Sequence, residues 1–257
     1  MEKIIFFGNG KLAEYALGVL EKHFEIIFHA REKADLEEAV RLKAEFPEAH
    51  GILASFGVLI PGSVLEAFEP EGILNIHPSL LPKYRGASPI ESAILNGDRD
   101  FSVSVMKLVK AMDAGPIYYQ ATIEGIELNK EVIYRELAEA GAKWIAENLT
   151  NLPEPSLQDD SKATFTKKFT KADGVIDFKN MSKSEILRKI VAFHGFPKAK
   201  GVILGVNCTI LEAHLPKKDE KAKLIVPCLD GEIVIDRLQP DGKKEMDAKS
   251  FLNGHGR

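Results

Sequence analysis

Four short apolar runs, separated by segments of helical period, constrain the first eighty residues more than any other feature. "KIIFFGNG" at 3–10 is an apolar run ending in a glycine-rich turn, the pattern of a buried strand entering a tight βα loop. "KLAEYALGVLEKH" follows, with Leu12, Tyr15, Ala16, Val19 and Leu20 on one helical face. "FEIIFHA" reads as a second strand and "KADLEEAVRLKAEFPEA" as a second helix closed by Pro47. "GILASFG" and "GILNIH" read as third and fourth strands. This alternation predicts an α/β fold with a doubly wound, mostly parallel sheet, in which ligands bind beyond the carboxyl ends of the strands. Asn75 and His77 stand at that end of the fourth strand.

Further along, "ASPIESAILNGD" predicts a helix with Ser88 as N-cap and Pro89 in its first turn. "FSVSVMKLV" alternates as a strand does, and "AMDAGPIYYQATIEG" is a tight loop leading into another. "NKEVIYRELAEAGAKWIAENL" is the longest helical pattern. A polar stretch with Pro153 and Pro155 follows it, so the expected division is a first domain at 1–150, a linker at 151–164 and a second domain at 165–257. The second domain has short strands, turn residues and one helix, "SKSEILRKIVAF". That texture predicts a small, OB-like β-barrel.

The formal net charge of −4 hides an asymmetry. Residues 1–164 carry 16 Lys and Arg against 26 Asp and Glu; residues 165–257 carry 18 against 12. A basic second half suits an anionic partner, and equally a lysine-rich solvated surface. The sequence shows no apolar run of transmembrane length and no signal-peptide layout, so a cytoplasmic setting without membrane contact is expected. Cys208 and Cys228 are too few for a disulfide scaffold or zinc site. Two half-buried thiols are expected, with a bridge across paired strands as the alternative. No metal site is evident.

Asn75 and His77, two apart on a strand, project to the same face. Together they offer an amide donor and an imidazole, the pair of fixed donors that a tetrahedral oxyanion needs. Asp113, in "AMDAGP", supplies a carboxylate to fix the imidazole tautomer, and Gly115 beside it allows close backbone approach. Such a set suits acyl transfer to an amine with no Ser or Cys nucleophile.

"NIHPSLLPKYRG" followed by "MDAGP" resembles the formyltransferases that use 10-formyltetrahydrofolate. The resemblance implies that Asn75, His77 and Asp113 are catalytic and that Ser79, Leu80, Leu81 and Pro82 line the folate pocket. "ATFTKKFTKADGVIDF" and "IVIDRLQPDGKKEMDAKSFLNGH" are similar to the second domain of the branch that formylates methionyl-tRNA. Charged initiator tRNA is therefore the expected partner of a monomeric enzyme. Arg31, Lys167, Lys168 and Lys171 are candidates for its contacts. One departure is that "FHAREKADLEEAV" lacks the longer basic insertion of that branch. Two alternatives share the core: formyl transfer to glycinamide ribonucleotide, with Gly8, Asn9 and Gly10 cradling its phosphate, and transfer to a nucleotide-linked amino sugar. A non-catalytic RNA-binding relative is a further reading, against which the intact Asn75, His77 and Asp113 set speaks.

Overall fold

The computed structural model describes residues 1–217 and 224–255, which fall into two compact units. The first comprises Met1–Ala93 and Arg99–Lys167; the second comprises Ile94–Asp98 and Lys168–Arg257.

In the first unit, β1 (Lys3–Phe7) is buried from Ile4 to Phe7 because it is an inner strand covered on both faces. β2 (Glu25–Ala30) and β3 (His50–Leu53) flank it in parallel, and β4 (Ile73–His77) runs parallel to β3. β5 (Phe101–Lys107) and β6 (Ile117–Ile123) complete the order β2-β1-β3-β4-β5-β6 through two antiparallel pairings. Only β5 therefore runs against the other described strands of this sheet, as a mostly parallel sheet requires.

The helices cover both faces. α1 (Gly10–Leu20) buries Leu12, Ala13, Ala16, Val19 and Leu20. α2 (Leu36–Glu45) and α3 (Gly62–Ala67) share one apolar cluster, in which Leu36, Ala39 and Val64 meet Ile5, Phe7 and Ile73. α4 (Pro89–Asn96) follows the loop after β4, and α5 (Lys130–Asn148) packs on α1 and on β5. The N-terminus of α5 is capped by Asn129, whose side chain accepts from the N–H groups of Glu131 and Val132. The sequence pattern did not mark α3, which is only six residues long and starts after Pro61.

Between β2 and α2 the chain makes one 3₁₀ turn, Lys33–Asp35. The Asp35 carboxylate accepts from the N–H groups of Arg31 at 2.6 Å and Glu32 at 3.0 Å, and these bonds hold its pKa below the usual carboxylate range. The strand thus passes into the helix by a capped turn, where a longer insertion was noted as missing.

The segment read from sequence as a linker is hydrogen-bonded to the first unit. Ser156 and Ile117 exchange two N–H···O bonds of 2.8 Å at the edge of β6. Thr164 donates to the Pro82 carbonyl at 3.1 Å and accepts from Arg85 at 2.8 Å, and Thr166 donates to Arg85 at 2.7 Å.

The second unit contains α6 (Lys183–Ala192), which opens on a capping box of Ser182 and Glu185. The expected small barrel is a curled antiparallel sheet of five strands: β7 (Lys200–Ile203), β8 (Val206–His214), β9 (Leu224–Cys228), β10 (Gly231–Pro240) and β11 (Met246–Asp247). β10 is the hub, pairing with β8, β9 and β11, and register shifts around Arg237 bend it. α7 (Ala248–His255) packs Phe251 into this unit. Cys208 and Cys228 are free thiols, and burial pushes the Cys208 thiol up.

Gly115 joins the Asp113 loop to β6 where no side chain fits: a Cβ there would lie 1.8 Å from the Lys107 carbonyl oxygen. Gly115→Ala should destabilise the first unit by about 1–3 kcal/mol, the usual penalty for overpacking. The urea midpoint measures this, and an unchanged midpoint would show that the loop has slack.

Candidate functional site

β4 is bonded on both sides, to β3 through Leu53↔Asn75 and to β5 through His77↔Ser104. Its tip is therefore fixed, and residues 75 and 77 share the face of Ile73. α3 and Phe68 cover Ile73, but the last two positions on that face open onto a cavity. The cavity has a volume of about 220 Å³. Its apolar walls include Leu12, Leu53, Phe56 and Ile90; Asn75, His77, Asp113, Glu91 and Tyr134 provide its polar groups.

Asn75 and His77 are each only 5% exposed. The Asn75 side-chain amide makes no hydrogen bond among the described residues, although buried polar groups are normally satisfied. Its donor and acceptor are left for a ligand in the cavity. The His77 ring is held by Nε2, which lies 3.0 Å from the Tyr84 carbonyl oxygen. A carbonyl only accepts, so Nε2 carries the proton. Nδ1 faces Asp113 Oδ2 at 3.7 Å, within ion-pair range but too long for a hydrogen bond. The ring is thus oriented by a backbone carbonyl rather than by a direct bond to the carboxylate.

Asp113 is placed by its own loop. Its backbone sits in the left-handed region at φ +47°, and its Oδ2 accepts the Gly86 N–H at 2.7 Å. Gly86 itself has φ +115°. Tyr84 and Ser55, also beside the site, have φ +58° and +52°. Non-glycine residues in this region carry strain that the surrounding structure must impose, and such strain gathers at functional sites.

Gln158 ties these loops together. Its Nε2 donates to the carbonyls of Asp113 and Gly115 at 2.8 and 2.7 Å, and its Oε1 accepts from Arg85 Nε and Nη2 at 3.0 and 2.7 Å. Arg85, 4% exposed, also pairs with Asp160 at 2.7 Å. Sequence reasoning quoted the Arg85-Gly86 pair without a role and missed Gln158 altogether. Nothing in the spacing of a glutamine 45 residues beyond Asp113 signals this contact. Glu91 and Tyr134, on α4 and α5, were missed for the same reason.

The four positions expected to line a folate pocket do not border this cavity. The backbone at Ser79–Leu81 is turned into a buried polar network instead. Ser104 Oγ donates to the Ser79 carbonyl and accepts from Leu81 N–H, while Gln120 Nε2 donates to the Leu81 carbonyl. The Pro82 carbonyl accepts from Thr164. Leu81 is buried, Ser79 donates its hydroxyl to the Lys83 carbonyl, and Leu80 is the one of the four with an exposed side chain.

The other candidates are not among the residues that line the cavity. Gly8 and Asn9 spend their N–H groups on the carbonyls of Ala30 and Ser55, and the Asn9 side chain donates to Arg31. Two of the three donors of the imagined phosphate cradle at Gly8, Asn9 and Gly10 are thus committed to the fold. Arg31 is exposed and donates to His29 at 3.3 Å. Lys167, Lys168 and Lys171 are exposed, the first in the first unit and the others in the second.

The chain matches two described families, "Formyl transferase" over residues 11–149 and "Formyl transferase, C-terminal domain" over residues 168–256. It is 35% identical to a methionyl-tRNA formyltransferase of Methylobacillus flagellatus over 235 residues, which span 85% of this chain and 75% of that protein. It is 35% identical to one of Helicobacter acinonychis over 259 residues, spanning 95% and 82%. Among solved structures, HypX from Aquifex aeolicus in complex with tetrahydrofolic acid shares the fold at TM-score 0.77 and 19% identity, over 99% of this chain and 47% of that one. With the catalytic-domain match alone covering more than half of its residues, and the curated relatives matched over most of their length, the chain belongs to the formyl transferase family.

Proposed function

We propose that this protein transfers the formyl group of 10-formyltetrahydrofolate to the amine of methionine on charged initiator tRNA. The observation that carries the chemistry is the unpartnered amide of Asn75, buried beside His77 and Asp113 in one cavity. The acceptor rests on the curated methionyl-tRNA formyltransferases, similar to this chain through both domains.

The residues present fit a folate co-substrate. Apolar walls lead to a polar floor, and Leu80 offers exposed apolar surface on the neighbouring loop. When bound, the folate supplies the formyl carbon and the nitrogen that leaves. The Asn75 amide donates to the formyl oxygen, more strongly as negative charge develops there. With Nε2–H donated to the Tyr84 carbonyl, His77 serves the same oxygen as the imidazolium, whose second proton lies on Nδ1 and is donated toward the developing charge. The Asp113 carboxyl group stands next to Nδ1 and helps pass the amine proton on. Its distance from the ring leaves Nδ1 uncommitted until a ligand atom or water arrives.

Asn75→Ala and His77→Ala should each lower kcat by ~10²–10³, the usual cost of one oxyanion donor. Single-turnover assays measure this, and full turnover by either variant would end the assignment. Asp113→Asn keeps an oxygen for the Gly86 N–H while removing the charge, so kcat should fall without a change in the melting midpoint. The acceptor is tested by offering methionyl-tRNA, glycinamide ribonucleotide and an amino-sugar nucleotide side by side. Turnover is expected on methionyl-tRNA, and turnover on glycinamide ribonucleotide alone would overturn the proposal. If Lys167, Lys168 and Lys171 meet phosphates, each Lys→Gln change should reduce the salt slope of tRNA binding by ~0.7–0.9.

A further inference from the structure

Besides Asp113, a second carboxylate borders the cavity. Glu91, on the first turn of α4, has a side chain only 13% exposed. Its Oε1 accepts from two groups of α5, Lys130 Nζ at 2.8 Å and Tyr134 OH at 2.9 Å. Burial and the Glu91 charge push the Tyr134 phenol far up, so it stays a hydroxyl donor. Oε2 has no partner among the described residues. The pair therefore fixes the carboxylate by one oxygen and leaves the other uncommitted, on a residue that lines the same cavity as Asn75 and His77.

Resting on the formyl-transfer reading, we propose that Glu91 Oε2 is the site for the acceptor's amine. The chemistry has two poles. As the nitrogen lone pair forms the new C–N bond, the carbonyl electron pair moves onto oxygen and the attacking nitrogen becomes positive. The nitrogen then loses its proton, the old C–N bond breaks, and the leaving folate nitrogen ends with that proton. Asn75 and His77 serve the negative pole. An acceptor-facing carboxylate serves the positive one, and it does so more strongly at the transition state than with the neutral amine. Lys130 offsets much of the Glu91 charge, so Oε2 orients an N–H without removing the proton from the amine.

Glu91→Gln separates this role from a structural one. The amide oxygen can still accept from Lys130 and Tyr134, while an NH₂ group replaces the acceptor facing the cavity. For this variant, kcat/KM for methionyl-tRNA should fall about 10- to 100-fold, the range for a hydrogen bond to a charged group. KM for the formyl donor should stay as in the unaltered protein, while the melting midpoint falls with the loss of the charge opposite Lys130 and the variant remains folded. Equilibrium binding gives a readout without turnover. The unaltered protein should prefer methionyl-tRNA over the analogue carrying hydrogen in place of the amine, which has no donor at that position, and Glu91→Gln should lose that preference. If Glu91→Gln fails to fold, Glu91→Asp keeps the charge one methylene further back and should show the same acceptor-only loss. Unchanged kcat/KM and preference, or equal losses for donor and acceptor, would overturn the proposal for Glu91 while the transfer reading stands. Transfer to no amine at all by the unaltered protein would overturn both.

Discussion

Four of the hydrogen bonds of the Gln158 side chain hold two loops together. One loop, after β4, carries Tyr84, Arg85 and Gly86; the other, before β6, carries Asp113 and Gly115. A glutamine suits this place because its oxygen and its NH₂ face opposite demands, a guanidinium on one side and two carbonyls on the other. A glutamate would set its negative oxygens against the carbonyls of Asp113 and Gly115, and an alanine would leave a buried guanidinium short of an acceptor. The direct Gly86 N–H bond to Asp113 joins the same two loops a second time. From this junction follow the placement of Asp113, its distance to the His77 ring, and the Tyr84 carbonyl that fixes the ring.

The architecture of the first unit was legible because its strands and helices follow distinct periods, and because Asn75 and His77 break an otherwise apolar strand where α/β sheets bind ligands. Asp113 was legible through its small neighbours and through the family motif. What surrounds these residues was not. Gln158, Glu91 and Tyr134 come together through tertiary packing, which leaves no mark on local spacing. The Ser79–Pro82 loop is held by Ser104 and Gln120, on antiparallel strands β5 and β6, through bonds that leave no mark on local spacing either. The six residues of α3 are too few to display a helical period.

Charge in the cavity is arranged by pairing rather than by number. Glu91 is paired with Lys130 and capped by a hydroxyl, whereas Asp113 receives a backbone N–H and faces an imidazole. Asn75 adds a donor without a net charge. A cavity built this way offers separate places for opposite charges that arise together on one reacting group. The bound state then needs little rearrangement of dipoles, which is the condition under which fixed groups act most strongly.

The hydrogen-bonded course of residues 156–166 bears on how such chains are assembled in evolution. The long helix α5 ends at Asn148, and an exchange of C-terminal partners guided by helix boundaries alone would fall just after it. A junction there would discard Gln158, Thr164 and Thr166, and with them the clasp on Arg85, Ser88 and the Asp113 loop. The smallest heritable unit that keeps its reactive set in order extends through Thr166. A fusion that respects this hem inherits a finished site, and one made upstream of it inherits a correct sheet with an unfastened edge.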